Sequence, residues 1–382
     1  MRALHVITGL GMGGAEQQLR LMLRHLPASC DVVTLTNPGS VARQIMAEGT
    51  RVTHLGMSGN RDLSALPRLT KLIRAGRYDV VHTHLYRACL YGRIAARLAG
   101  VRAVVATEHS LGESQMEGRP LTGGVRALYL AGERLGRVTV AVSPAVARRL
   151  HRWGVPRQRI SVVPNGIDAD RFRFDAAARA ITRRRLDLPE DAYVVGGVGR
   201  LTPGKRFDVL LRAVAQLPGD VLAVLVGTGP QEAELRELAE RLRITGRVRF
   251  AGEARHEPEA APSDGTDLPA LLSAMDALAS PSPEEAFGLA LLEGLASGLP
   301  VLYADCPAID ARPCAERGLA MPCPSNPDAL ARALHTLRPR GTAPRTAPPA
   351  AHHYSVARSA GQLMNVYESA LSGSTSEVTF DA

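Results

Sequence analysis

Ser280-Pro281-Ser282-Pro283-Glu284-Glu285-Ala286-Phe287-Gly288-Leu289-Ala290-Leu291-Leu292-Glu293-Gly294-Leu295-Ala296-Ser297-Gly298-Leu299-Pro300-Val301 decides how the rest of the chain is read. A short apolar strand, Ala277–Ala279, runs into a proline-punctuated loop, an apolar helix follows, and Gly298-Leu299-Pro300 turns the chain into another strand. If the helix starts near Phe287, Glu293 lies almost two turns in and Glu285 stands in the loop before the N-terminus. Carboxylates accept hydrogen bonds, so the pair suits a ligand rich in hydroxyls, such as a sugar or a ribose. Spacing alone would equally describe a solvated helix face; the Phe-Gly-Leu core and the closing Gly-Leu-Pro-Val make the stretch specific.

Outward from this stretch the same alternation recurs in both directions. Leu4–Thr8, Asp31–Thr36, Arg51–Leu55, Val80–His82, Ala103–Thr107, Val138–Val142 and Ile160–Val163 read as strands, separated by helical patterns such as Ala15–Leu26, Leu63–Ala75 and Leu90–Ala99. A second series comprises Tyr193–Val198, Val221–Val226, Val248–Phe250, Ala277–Ala279 and Pro300–Tyr303. Repeated βα units predict an α/β fold with parallel sheets, and 382 residues fit two domains. The switch is expected between Asp168 and Asp191, with the arginine-rich helix Ala176–Leu186 as the bridge. Glu253–Asp267 reads as an acidic surface insertion with little order, Arg338–Pro349 as a proline-rich linker, and 355–371 as a last helix before a frayed tail.

The net charge of +9 is unevenly placed. Residues 1–175 carry 25 Lys and Arg against 12 Asp and Glu, whereas residues 176–382 carry 21 against 25. The basic half is expected to face something anionic. No aromatic-rich reading platform accompanies the arginines, which argues against nucleic acid; a lipid phosphate or an anionic membrane surface fits better. The five cysteines show no CxxC, so neither a disulfide framework nor a zinc site is indicated, and a reducing, cytoplasmic compartment is expected. Ala3–Leu10 makes a poor signal peptide and no stretch is long and apolar enough to span a membrane, so any membrane contact is expected to be peripheral.

Two glycine-bearing loops invite nucleotide readings. Gly9, Gly11 and Gly14 match GxGxxG after the first strand, but the second strand ends Leu35-Thr36-Asn37-Pro38, without the acid that a nicotinamide dinucleotide requires for its ribose. Gly199-Arg200-Leu201-Thr202-Pro203-Gly204-Lys205-Arg206 nearly satisfies GxxxxGK[ST], but Arg206 stands where a P-loop needs its Mg²⁺-binding hydroxyl. What remains is a loop with two cations, Arg200 and Lys205, able to grip a diphosphate. His82 and His84 end one strand on one face, a spacing that could bind metal, although no third ligand is evident nearby. His109 lies just past the next strand, where α/β sheets place ligands. Satisfied core histidines are the competing reading for all three.

These motifs, in this order, resemble the retaining glycosyltransferases of family 4. The likeness rests on Gly13-Gly14-Ala15-Glu16, the His82-Thr83-His84 strand end, His109, Pro164-Asn165-Gly166-Ile167-Asp168, Gly199-Arg200-Leu201 with Lys205, and Glu285 to Glu293. It implies a GT-B architecture of two Rossmann-like domains, an acceptor-binding domain over 1–170 joined by helix 355–371 and a nucleotide-sugar domain over 171–354, with the site in the cleft. It further implies donor contacts from Gly13, Gly14, Arg200, Lys205, Glu285, Phe287, Gly288, Leu289 and Glu293. Glu16, His82 and His84 would lie on the acceptor side, His109 by the donor sugar, and His109, Arg200, Lys205 and Glu285 would serve catalysis. Glu285 would hold sugar hydroxyls and Glu293 the ribose; Asp168-Ala169-Asp170 then becomes a coincidental match to a metal motif. No metal or cofactor is expected, and the donor is a nucleotide-sugar, with uridine as the expected base. The acceptor stays open: a lipid-linked glycan or polysaccharide at an anionic membrane, to which Arg119, Arg126, Arg134, Arg137, Arg148, Arg149 and Arg152 could dock, or a soluble small molecule. A non-catalytic nucleotide-sugar-binding protein is the alternative of another class. The chain departs from the family after Val301, where Tyr303-Ala304-Asp305-Cys306-Pro307-Ala308-Ile309-Asp310 replaces the usual glycine pair, which puts contacts from that loop in doubt.

Overall fold

The computed structural model describes residues 1–59, 61–112, 115–116, 119–255, 264–311, 318–338 and 345–373. The expected acidic insertion, linker and tail fall largely outside these residues, as does Cys314. Two compact units result: Met1–Gly166 together with the chain from Val356 onward, and Ile167–Ser355.

The first unit holds β1 (Arg2–Ile7), β2 (Ser29–Thr34), β3 (Arg51–His54), β4 (Val80–His84), β5 (Ala103–Glu108), the short antiparallel strands β6 (Gln115–Met116) and β7 (Arg119–Pro120), β8 (Val138–Ala141) and β9 (Ile160–Val162). Seven of these form a parallel sheet ordered β3-β2-β1-β4-β5-β8-β9. Its central strands are buried on both faces, which is why they read as runs of valine, isoleucine and alanine rather than as alternating patterns. Helix Val356–Ser372 closes one face: Val356, Ala360, Leu363, Tyr367 and Ala370 recur at helical spacing and share a core with Ala3, Val80, Val105 and Val140. Tyr367 is fully buried, and its hydroxyl lies 2.7 Å from His82 Nδ1.

The second unit repeats the plan with β10 (Tyr193–Val198), β11 (Val221–Val226), β12 (Val248–Gly252), β13 (Ala277–Ser280), β14 (Val301–Tyr303) and β15 (Ala320–Pro322), ordered β12-β11-β10-β13-β14-β15, all parallel. The edge strand β15 was not expected; three residues ending in proline carry too little pattern to announce themselves.

Two expectations are corrected. The division falls after Gly166, not after Asp170, because the Ile167 N–H donates to the Tyr354 carbonyl at 2.7 Å and the turn Ala169–Phe172 packs on helix Leu289–Ala296. The arginine-rich helix is no bridge: Ala176–Arg185, capped by Asp175, lies wholly inside the second unit. Its Arg179 and Arg183 donate to Asp276 at 2.8 and 2.7 Å, Arg345 joins them, and the Val194 N–H donates to the same carboxylate at 2.8 Å. Asp276 thus pairs with three guanidinium groups, of which Arg183 is nearly inaccessible. Asp276→Ala should strand these charges and lower the unfolding free energy by about 3–5 kcal/mol, measurable by urea denaturation.

Candidate active site

In the first unit the site grows from the register of three neighbouring strands. His5 of β1 pairs with His82 of β4, and His82 and His84 of β4 pair with Val105 and Thr107 of β5, so these side chains share one face of the sheet. His109, two residues beyond Thr107, joins them. His5 Nδ1 lies 3.1 Å from His84 Nε2, and His84 Nδ1 lies 3.1 Å from His109 Nε2. His82 stands against the same group, its ring centroid 4.1 Å from that of His84, with Nδ1 on Tyr367 and Nε2 2.7 Å from Thr107 Oγ1. A small pocket opens on these rings and is bounded further by Gln18, Leu19 and Met22 of helix Gly14–Leu23 and by Asn165. Burial holds the His5 and His109 imidazoles down at about 4 and those of His82 and His84 well below the ordinary value. The four rings are therefore neutral at pH 7.

His5 escaped the sequence reading, which found no third imidazole near His82 and His84. Its only signal was a histidine in the first strand, and strand pairing alone shows that this residue abuts His82. Gly13 precedes helix Gly14–Leu23, which borders the pocket, and the Glu16 carboxylate folds back over Gly13, close enough that a Cβ there would meet Glu16 Oε2 at 2.3 Å.

In the second unit the loops after β10 and β13, the two strands at which the order of the sheet reverses, bring their residues together. Lys205 Nζ lies 2.5 Å from Glu285 Oε1, and both side chains are only partly accessible. The first loop is held from beneath: the Leu201 N–H donates to the Thr228 carbonyl at 2.9 Å, and Gly227, at φ +128°, lets the Gly199 carbonyl approach closer than any Cβ would permit. Arg200 at its tip is exposed, with no carboxylate partner among the described residues. The second loop is held by the segment that departs from the family pattern. The Glu285 N–H donates to Asp305 Oδ2 at 2.6 Å, and Cys306 Sγ lies 3.5 Å from the Phe287 carbonyl. Asp305 is a further residue that sequence reasoning missed.

The helix begins at Leu289, not near Phe287, because Gly288 sits at φ +100° and breaks the helical path. Glu293 therefore lies about one turn in. Part of its side chain reaches the surface, yet dense surroundings push its carboxyl up to about 7, with Arg171 opposing the shift. Phe287 is buried with its ring edge-on to Tyr354 at 5.2 Å, which braces the loop. Asp170 of the DxD match pairs with Arg173 at 2.6 Å.

The arginines of the basic half divide: Arg149 is buried and Arg137 half-buried, whereas Arg126, Arg134, Arg148 and Arg152 are exposed. Arg149 donates to the Leu111 carbonyl at 3.2 Å, Arg126 to the Trp153 carbonyl at 2.9 Å and Arg137 to the Gly373 carbonyl. Arg93 is fully buried, 5.5 Å over the Tyr129 ring. Among the described residues no helix is long and apolar enough to cross a membrane, and no cysteine forms a disulfide.

Two pH dependences follow. Because burial lowers the histidine pKa values from 6.5 to about 4 and below, the folded state takes up fewer protons than the unfolded state; stability is complete above pH 6.5 and should drop as pH falls toward 4. Urea unfolding at stepped pH reads this directly. Glu293 has the opposite sign: its raised pKa costs stability as pH climbs from 4.5 through 7. Glu293→Gln should stabilise the protein at pH 8 by about 1–2 kcal/mol and change little at pH 5.

Comparison with known proteins agrees with this organisation. Residues 12–171 match the family model described as Glycosyltransferase Family 4, and residues 178–338 match that of Glycosyl transferases group 1. A D-inositol 3-phosphate glycosyltransferase of Salinispora tropica is 34% identical over 325 residues, covering 78% of this chain and 65% of that protein. That of Mycobacterium tuberculosis is 30% identical over 304 residues, covering 75% and 60%. The chain thus spans less than two thirds of the length of these relatives. Anabaena HepE, solved in complex with UDP and glucose, superposes with a TM-score of 0.83 at 22% identity, covering 97% of this chain and 100% of that one. WaaG, a glycosyltransferase involved in lipopolysaccharide biosynthesis, superposes at 0.68 and 18% identity, covering 98% and 100%. With two parallel sheets of matching topology and a family match in each unit, the chain belongs to the family 4 glycosyltransferases of the GT-B fold.

Proposed function

We propose that the chain transfers a glycosyl group from a nucleotide-sugar, with uridine as the base, to an acceptor hydroxyl with retention at the anomeric carbon. The observation that carries the reading is the Lys205–Glu285 pair at the reversal point of the second sheet, flanked by exposed Arg200 and by Glu293 on the following helix. Parallel sheets bind ligands at this place. There Lys205 and Arg200 neutralise the diphosphate as it becomes the leaving group, a task two fixed cations perform without a metal ion. Glu285, already held by Lys205 and braced through Asp305, accepts hydrogen bonds from sugar hydroxyls. Glu293 does the same for the ribose. A donor phosphate oxygen takes the acceptor proton, and the nucleophile enters on the face from which the diphosphate departs. His109 in the first unit offers an N–H suited to an oxygen of a sugar.

For the acceptor, support comes from the named relatives, which are D-inositol 3-phosphate glycosyltransferases. We therefore favour a small phosphorylated polyol, whose anionic group suits the basic first half of the chain. A lipid-linked glycan is the rival acceptor; of the arginines that could dock on an anionic surface, Arg149 is buried and Arg137 half-buried, while Arg126, Arg134, Arg148 and Arg152 stay exposed.

Thermal shift with UDP, GDP, ADP and NAD(H) in EDTA tests the donor half: stabilisation by UDP alone is expected, and a response to NAD(H) or to nucleotide only with Mg²⁺ would overturn it. Lys205→Ala should lower kcat by roughly 100-fold or more and Glu16→Ala far less, in transfer assays offering inositol phosphates and lipid-linked glycans side by side. Equal, small losses would count against the assignment.

A further inference from the structure

We infer that His5, His84 and His109 form a single hydrogen-bonded chain in which all three imidazoles hold the same tautomer, so that His5 acts as a positioning residue that sets where His109 carries its proton. A neutral imidazole has one N–H and one lone pair. The contacts run from His5 Nδ1 to His84 Nε2 and from His84 Nδ1 to His109 Nε2, each at 3.1 Å. If His84 carries its proton on Nδ1, it donates to His109 Nε2, which leaves the His109 proton on Nδ1. Its own Nε2 then accepts, so His5 must donate from Nδ1. If His84 carries the proton on Nε2, both neighbours must carry theirs on Nε2. Any mixed arrangement sets two N–H groups or two lone pairs against each other in a buried place.

The ends of the chain choose between the two states. Among the described residues, His5 Nε2 and His109 Nδ1 are both buried and without a partner. Orphaned buried N–H groups are rarer than orphaned acceptors. Either state strands one N–H, on His5 Nε2 or on His109 Nδ1; His5 is wholly inaccessible, whereas His109 is only partly buried and lines the pocket, so the N–H is better placed on His109, the Nδ1 state. His109 Nδ1 then carries the N–H at the end of the chain that borders the pocket, the place where an oxygen of a substrate would satisfy it. That the oxygen belongs to a sugar rests on the proposed transferase reading; the shared tautomer does not.

A metal ion is the competing use of these rings, since His5, His82 and His84 offer ligand atoms within 4.8 Å of one another. The hydrogen bonds speak against it. Both nitrogens of His82 are engaged, by Tyr367 and Thr107, and both of His84, by His5 and His109, which leaves His5 Nε2 alone among the three. A protein zinc site takes three or four ligands.

Long-range ¹H–¹⁵N spectra of histidine-labelled protein at pH 7.5, recorded in EDTA and then with Zn²⁺, test the inference. Three neutral rings, each with its proton on Nδ1, are expected for His5, His84 and His109, unchanged by Zn²⁺. His5→Leu should convert the His109 signal to a tautomer average and lower kcat by roughly tenfold, with the donor KM unchanged. His5→Asn, whose amide can stand near the position of Nδ1, should recover most of both. A proton on Nε2 of any of the three, an unaltered His109 signal in His5→Leu, or Zn²⁺ uptake by these rings would overturn it. Should His5→Leu fail to fold, the parent spectrum and His5→Asn still decide. Shared Nδ1 tautomers in a protein that transfers no sugar would sink the transferase reading alone.

Discussion

In each unit the strand order runs outward in one direction from the first strand and then reverses past it, and the loops on either side of the reversal must diverge. This constraint of parallel connection opens a gap at the carboxyl ends of two adjacent strands. Every residue to which chemistry has been assigned stands at or beside such a gap: the histidines at β1, β4 and β5, and Lys205 and Glu285 after β10 and β13. The side chains did not need to be near one another in sequence. Lys205 and Glu285 are 80 positions apart, and the topology alone makes them neighbours.

The two gaps are furnished differently. The first is lined by neutral rings in a buried pocket, a setting that favours directional hydrogen bonds. The second carries ionised groups that remain partly wet, where long-range charge can act on a diphosphate. One unit is therefore suited to orientation and the other to charge.

Much of this was legible in the sequence because buried parallel strands write themselves as β-branched runs and because glycine, proline and charged residues punctuate the loops between them. The strands of both sheets, the returning last helix and the Lys205 and Glu285 loops all carry such marks. What stayed hidden depends on register or on the second layer. His5 looks like any residue of an apolar strand until pairing sets it beside His82. Asp305 and Cys306 brace the Glu285 loop by contacts that no spacing foretells. Phe287 has the composition of a ligand platform but is turned inward on Tyr354. Counting charge cannot separate an arginine that donates to carbonyls in the interior, such as Arg149, from one that faces solvent, such as Arg148.

Because helix Val356–Ser372 belongs to the first unit, the second is in effect an insertion within it. A chain emerging from the ribosome completes the second sheet while the first still lacks one wall of its core, and His82 waits for the Tyr367 hydroxyl until helix Val356–Ser372 has left the exit tunnel. The usual order of domain maturation is inverted: the unit that is begun first is finished after the second, and any truncation that removes this helix takes Leu363 from the imidazole pocket while sparing the Lys205 and Glu285 loops.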